Sequence, residues 1–427
     1  LRALIVSYYF PPAGGGGVQR VLKLCKHLPE LGWEVDVLAP DDPKWVASDP
    51  ELSAEVPDGT IVHRARYRGP ADERAAVDRL ATASGWSGIG TRAAVFGRKL
   101  LVPDPRVVWV PDAARAATRI VRERSIDVVL TTSPPTSVHL IGNIVRRRTG
   151  VAWIADLRDS WLANPHRRYE RRTVRAKRTL LEQIAKRTLG SVSGVTAVTD
   201  VISAEARALA PDGTPNRVIS NGCDFDDFSG LRYQRSDRFR ILHAGYFFGA
   251  RSPRPFLTAL QRLLERRPEL RPIVEARFIG GFRTADADWA AGLGLDGSLQ
   301  IAGFVPHHRA LEEMKRSDAL LLLIPNAAGL GTSVLSGKLF EYLAAERPIA
   351  GLVPPTGAAA DLLRSTGFAW IADPDDVDGI CAMLGELCDA WIAGGLDDRV
   401  IPAELRERLD RRTRASEMSA FLREVQS

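Results

Sequence analysis

Short apolar runs alternate with helix-period segments twice along this chain, and that alternation limits the possible folds more than any other feature. In the first half the runs are LRALIVSYYF, WEVDVLAP, IVHRARY, DVVLTTSPP, AWIADLRD, GVTAVTD and RVISNG. In the second they are FRILHAGYFF, IVEARFIGG, LQIAGFV, ALLLLIPN, PIAGLVP and FAWIADP. The segments between them carry a helical period, as in Val18, Val21, Leu22, Cys25 and Leu28. Strands that are apolar on both faces and separated by helices build parallel sheets from βαβ units. Two such halves predict an α/β chain of two doubly wound domains, and 427 residues also exceed one ordinary core. The alternation breaks at SNGCDFDDFSG, which places a boundary between residues 1–222 and 223–427. Residues 66–115 or so are less regular and are expected to form an insertion with short helices. The last helix is expected to pack back on the N-terminal domain. Ligands of open parallel sheets sit outside the carboxyl ends of the strands, so function is expected in the loops there, in a cleft between the halves.

Charge narrows the partners. Lys and Arg number 58 against 52 Asp and Glu, a net charge of +6 that favours anionic ligands or acidic lipid surfaces. Nucleic acid is not expected, because the basic runs are not interleaved with aromatics. The four cysteines form no CxxC pair, and Cys381 and Cys388 lie two helical turns apart, as buried thiols in a reducing cytoplasm would. No window approaches the apolar length of a membrane span. Histidines are scattered, and the Asp-x-Asp triplets at Asp224, Asp286 and Asp373 are readily produced by chance, so no metal site is expected.

Three loops carry residue types suited to a phosphate. Gly14 to Gly17 stand between the first strand and first helix, where glycines let a backbone approach an anion. The GxGxxG dinucleotide pattern is absent, since Gln19 occupies its third position. Arg251 lies in the equivalent loop of the second half, either a solvated charge or a fork of donors. Gly329, Gly331, Thr332 and Ser333 lead into a helix on which Lys338 and Glu341 stand about 60° apart, away from the Leu335, Leu339 and Tyr342 stripe. That pair is either a surface ion pair or two groups facing a ligand; its place after a buried strand favours the ligand. ADLRDSW offers Asp156, Arg158 and Asp159, as catalytic groups or as an ion pair shaping a loop. HRRYERRTVRAKRTLLEQIAKRTL, residues 166–189, gathers Arg168, Arg171, Arg172, Arg175 and Arg178 opposite Val174, Leu181 and Ile184. It reads as a solvated helix or as a face resting on an anionic membrane.

Together these segments resemble glycosyltransferase family 4, retaining enzymes with two facing Rossmann-like domains (the GT-B fold), of the bacterial cell-surface polysaccharide type. SNGCDFDDF resembles the family's NGVDxxxF, GYFFGARSPRPFLTAL its GRLSxEKGxxxLLxAL, GFVPHHRALEEM its GFVPxxELxxL and SGKLFEYLAAERPI its PxxVLEAMAxGxPV. The resemblance implies an N-terminal acceptor-side domain and a C-terminal nucleotide-sugar domain. It implies transfer of a sugar from a UDP-, GDP- or TDP-sugar to a hydroxyl acceptor, a lipid-linked glycan among the candidates, without metal or cofactor. Gly15, Gly16, Gly17, Arg251 and Lys338 would hold the donor diphosphate. Glu341, with Thr332 and Ser333, would hold the ribose and sugar. Asp156, Arg158 and Asp159 would serve the acceptor. The chain departs from the pattern at Ser333, where the first glutamate of E-x7-E falls, at Tyr246, and in lacking the catalytic-site histidine that many members carry after an N-domain strand. A nucleotide-sugar epimerase of the same fold and a binding-only relative are the alternative readings.

Overall fold

A computed structural model describes residues 1–43, 45, 48–69, 101–162, 172–247, 250–327, 329–396 and 399–426, with side chains of 172–177 left out. The chain divides into two compact units. The first runs from Leu1 to Ser220 and takes in the C-terminal stretch from Arg414; the second spans Asn221–Thr413.

The first unit is built on β1 (Arg2–Ser7), β2 (Glu34–Pro40), β3 (Ile61–Ala65), β4 (Val128–Thr132), β5 (Ala152–Leu157), β6 (Gly194–Ala197) and β7 (Asn216–Val218). Their order is β3-β2-β1-β4-β5-β6-β7, every pairing parallel. The second unit holds β8 (Phe239–Ala244), β9 (Val274–Ile279), β10 (Leu299–Ala302), β11 (Ala319–Leu323), β12 (Ile349–Leu352) and β13 (Ala369–Ala372). They run β10-β9-β8-β11-β12-β13, again all parallel. The central runs became strands buried on both faces, as in β4, β11 and β12, whereas the edge strands β3, β7 and β10 are only partly buried. The order reverses between β1 and β4 and between β8 and β11, which opens a crevice at the carboxyl edge of each sheet.

Register carries chemistry. Asp156 on β5 stands beside Thr132 on β4 and Thr196 on β6. Neighbours in register point to the same face of a sheet, so both hydroxyls reach the carboxylate.

The C-terminal helix Arg411–Gln426 buries Ala415, Met418, Phe421 and Leu422 in one cluster with Ala3, Ile5, Trp33 and Val35. Trp33 Nε1 also donates to Ser419 Oγ at 2.9 Å. Burying each large apolar side chain there contributes about 1.5–3 kcal/mol. Part of the 66–115 stretch, residues 70–100, lies outside the described residues. Its end is not irregular: Pro105–Trp109 is a 3-10 turn that runs into the helix Val110–Glu123. Ala113, Ala114 and Ala117 let that helix sit close on the sheet beside Leu4 and Val6, and weakly apolar alanines hid its period from the sequence.

In the helix Arg172–Leu189, Leu181, Ala185 and Leu189 are buried while Arg178 and Leu180 are exposed. Arg168 and Arg171, and the side chains of Arg172 and Arg175, lie outside the described residues. Among the described residues no helix is long and apolar enough to cross a membrane.

Candidate functional site

The second unit concentrates charge at the β8/β11 reversal. Gly245 follows β8 directly and adopts φ +145°, a conformation that L side chains avoid. A Cβ placed on it would lie 1.7 Å from Lys338 Nζ and 2.1 Å from Lys338 Cε. The lysine, projecting from the helix Gly337–Ala345, therefore lays its ammonium over bare backbone at the strand end. Tyr342 of the same helix fixes this arrangement, its hydroxyl accepting the Ala244 N–H at 2.8 Å. Arg251 is 8% exposed and donates from Nε to the Leu323 carbonyl at 3.0 Å, the last residue of β11.

His243 lies buried beneath these cations, stacked on Phe247 with ring centroids 4.8 Å apart. Its Nδ1 is 2.8 Å from the Leu321 carbonyl and so carries the proton, while Nε2 has no hydrogen-bond partner. Burial and the charge of Lys338, with a smaller push from Arg251, lower its pKa to about 3, although the Leu321 carbonyl opposes them. The imidazole is neutral at ordinary pH, so the cations face no competing charge from it.

Glu341 sits one helical step from Lys338, 20% exposed, with Oε1 3.8 Å from His307 Nε2. Burial alone would raise this carboxyl, but His307, Lys338 and Arg411 outweigh it and hold the group below the ordinary glutamate value. Thr332 and Ser333 are half-buried in the 3-10 turn Leu330–Ser333, where the Thr332 hydroxyl donates to the Gly329 carbonyl at 2.8 Å. Ser336 precedes the lysine helix, and no side chain caps that helix's first turn. The structure thus places Arg251, Lys338 and Glu341 around the carboxyl ends of the neighbouring strands β8 and β11. Gly245, His243, Tyr342 and His307 belong with them and were missed. Gly245 and His307 each follow a predicted strand closely, and that position was the available signal.

In the first unit, Asp156 makes an ion pair, with Arg20 rather than with the arginine of its own loop. It is fully buried and receives Arg20 Nε at 2.9 Å, Arg20 Nη2 at 2.8 Å, and the Thr132 and Thr196 hydroxyls at 2.7 Å each. Burial raises its pKa, yet the charge of Arg20 and these hydrogen bonds together hold it below the usual carboxylate value. Arg20 also donates to the Ile219 and Ser220 carbonyls at 3.0 Å each. Both carboxylate oxygens are consumed, so Asp156 pins β5 to the first helix and to the chain leaving β7. It does not face an open loop.

Arg158 bridges the loops after β1, β4 and β5. Its Nε donates to the Ser133 carbonyl and its Nη1 to the Gly17 carbonyl at 2.9 Å, while Nη2 has no partner. Burial lowers its pKa to about 10; Asp156 opposes this and Arg20 adds to it, and the group stays charged. Asp159 is exposed. Gly15, at φ +90°, and Gly16 head the helix Gly16–His27, and a Cβ on either would meet nothing within 4 Å. That helix starts with no side-chain cap and no acidic residue in its first turn, leaving donors open to an anion. The loop after β5 is held by Glu205, which accepts from the Ser160 hydroxyl at 2.5 Å and the Trp161 N–H at 2.7 Å.

Two of the three Asp-x-Asp triplets supply ion pairs. Asp224 meets Arg411 at 2.6 Å, Asp226 meets Arg412 at 2.7 Å, and Asp286 meets Arg254 at 2.7 Å and Arg283 at 2.6 Å. Among the described residues no group of three or more His, Cys, Asp or Glu could hold a metal ion.

Residues 15–222 match the family described as the Glycosyl transferase 4-like domain. No curated protein matches the chain in sequence. Among solved structures, a sucrose-phosphate synthase from Thermosynechococcus elongatus is 14% identical with a TM-score of 0.66, covering 99% of this chain and 98% of its own. HepE from Anabaena, in complex with UDP-glucose, is 13% identical with a TM-score of 0.64, covering 99% of each chain. A candidate UDP-N-acetylglucosamine 2-epimerase from Listeria monocytogenes is 10% identical with a TM-score of 0.56, covering 99% of this chain and 95% of its own. These likenesses carry the fold, two Rossmann-like domains as in GT-B glycosyltransferases, over the whole length. Residues 15–222 are therefore a glycosyl transferase 4-like domain, in a chain whose two-domain fold is that of GT-B glycosyltransferases.

Proposed function

We propose that this glycosyltransferase moves a sugar from a nucleoside-diphosphate sugar to a hydroxyl acceptor with retention of configuration, in polysaccharide or glycoconjugate assembly. The placement of the Lys338 ammonium over Gly245, beside the Arg251 guanidinium, carries the reading. As the bond between the sugar's anomeric carbon and the diphosphate breaks, negative charge grows on the diphosphate. Cations fixed beside a low-dielectric core stabilise that charge without rearranging. No metal or cofactor is needed for this step, because Lys338 and Arg251 supply the positive charge. Glu341 accepts hydrogen bonds from the ribose hydroxyls, and Thr332 and Ser333 lie along the sugar end. The acceptor oxygen bonds to the anomeric carbon on the face the diphosphate leaves, and the departing phosphate takes its proton.

On the acceptor side, Asp159 supplies a solvent-facing carboxylate and Arg158 a buried guanidinium whose Nη2 has no hydrogen-bond partner among the described residues, while Asp156 positions their loop. The uncapped turn at Gly15, Gly16 and Gly17 is a further anion site. UDP-, GDP- and TDP-sugars are the donor class, and the UDP-glucose bound to the structurally similar HepE makes UDP-sugars the first to try. A lipid-linked glycan acceptor fits a cytoplasmic protein that touches the inner membrane face through residues 166–189.

The test incubates the protein with UDP-, GDP- and TDP-sugars, with and without hydroxyl acceptors, and follows products by NMR. Acceptor-dependent transfer with the anomeric configuration kept is expected. The likeness to the Listeria protein favours one other reading, and epimerised sugar appearing with no acceptor present would establish that reading instead.

A further inference from the structure

Glu346 ends the helix that carries Lys338 and Glu341, and it does so at φ +50°, left-handed backbone that glycine adopts freely and glutamate does not. Such a residue persists where its surroundings over-determine it. Its carboxylate supplies the hold. Oε1 accepts from Arg406 Nη1 at 2.7 Å and from the Ile401 N–H at 3.3 Å. Arg406 in turn sets its guanidinium carbon 3.9 Å from the centre of the Phe225 ring. The next residue, Arg347, is buried and donates to the Ser317 carbonyl at 2.9 Å and the Leu396 carbonyl at 3.1 Å. Its guanidinium carbon stands 3.5 Å from the centre of the Tyr233 ring.

These contacts reach both ends of the second unit. Phe225 and Tyr233 follow its start at Asn221, while Leu396, Ile401 and Arg406 lead to its end at Thr413. The two ends are also bound to each other. The Cys223 N–H donates to the Leu409 carbonyl at 2.7 Å, and the Arg411 N–H to the Cys223 carbonyl at 3.1 Å. A Cβ on Gly222 would lie 2.8 Å from Arg411 Cα, so these two stretches of backbone touch. Arg411 pairs with Asp224 at 2.6 Å and also helps hold the Glu341 carboxyl low. The helix therefore meets the paired ends twice, through Glu341 at its middle and through Glu346 at its last turn.

Resting on the donor reading above, we propose that Glu346 is a positioning residue, whose link to Arg406 carries the state of the nucleotide site to the paired ends of the second unit. A nucleotide held by Lys338 and Glu341 orders their helix, and the order passes on through the groups bound to the helix end. The paired ends then open less often, and their amide protons exchange more slowly. Lys338 keeps its own anchor, the Tyr342 hydroxyl on the Ala244 N–H, so nucleotide binding itself does not depend on Glu346.

Hydrogen–deuterium exchange of peptides covering 221–233 and 396–413, with and without saturating UDP, GDP or TDP, tests this on wild type, Glu346→Gly, Glu346→Gln and Arg406→Met. Isothermal titration gives each Kd. In wild type the bound nucleotide should slow exchange in both peptides by about fivefold or more, the low end of coupling between sites. Glu346→Gly relieves the left-handed strain and so keeps the fold, and Arg406→Met keeps an apolar stem for Phe225. Both should bind nucleotide as wild type does and show none of the slowing. Glu346→Gln, whose amide oxygen still accepts both bonds, should keep part of it. A merely structural Glu346 would raise basal exchange yet leave the nucleotide's effect in place, so slowing in Glu346→Gly equal to wild type overturns the proposal. Nucleotide binding by wild type without slowing overturns it too, leaving the donor site standing. Failure of wild type to bind any nucleotide overturns both.

Discussion

Arg20 and Asp156 form a two-point ion pair out of contact with solvent, Nε to Oδ2 at 2.9 Å and Nη2 to Oδ1 at 2.8 Å. Removing one partner leaves the other as an unpaired buried charge, at a cost of about 3–5 kcal/mol. Arg20→Ala and Asp156→Ala should each lower the unfolding free energy measured by urea titration by that amount. A catalytic aspartate would behave otherwise, losing turnover with stability intact. The depressed pKa of Asp156 adds a pH signature: its contribution is fully present above the unfolded carboxylate value and is lost as pH falls through the folded one. Acid unfolding below about pH 4 should weaken in the Asp156 variant.

Gly245→Ala tests the closest approach in the site. The added methyl group would occupy the place of Lys338 Nζ, and φ +145° would strain any side chain. UDP binding measured by titration should fall at least about tenfold, as for loss of a charge-assisted contact. Unchanged UDP affinity would place the lysine elsewhere.

Two buried histidines make stability fall on mild acidification. His139 and His243 have pKa values lowered to about 3, mainly by burial, against an unfolded value of 6.5. Between those values the unfolded chain binds protons that the folded one excludes, so each histidine removes stability as pH drops from 6.5 toward 3. The slope approaches about 1.4 kcal/mol per pH unit for each. Urea midpoints at pH 7 and pH 5 should differ less in His243→Gln than in wild type. Equal differences would mean that the imidazole accepts a proton in the folded state.

Glu341 should discriminate among nucleotides by their sugar. UDP offers the carboxylate two ribose hydroxyls and TDP, a deoxyribonucleotide, only one. Glu341→Gln should therefore cost UDP more affinity than TDP, by about tenfold or more, since each hydrogen bond to a charged group contributes about 1.5–3 kcal/mol. Titration of both nucleotides against both proteins reads the difference. Equal losses would remove Glu341 from the ribose.

The sequence made the sheets legible because burial on both faces writes a strand as an unbroken apolar run, as in ALLLLIPN and DVVLTTSPP. It marked Arg251, Lys338 and Glu341 because loops after such strands are where ligands sit. It left Asp156 open between a catalytic group and an ion pair, because a carboxylate near the end of a strand looks the same in sequence whether it faces solvent or a buried arginine; Arg20 lies far away in sequence and only the fold joins them. The helix Val110–Glu123 escaped notice because alanines carry its buried face.

A thermal-shift titration of UDP, GDP and TDP on wild type, Lys338→Ala and Arg251→Ala examines the diphosphate site most directly. At least one nucleotide should raise the melting temperature of wild type, and that rise should shrink or vanish in both variants. A nucleotide that stabilises all three proteins equally would contradict the site built from Lys338 and Arg251 around Gly245.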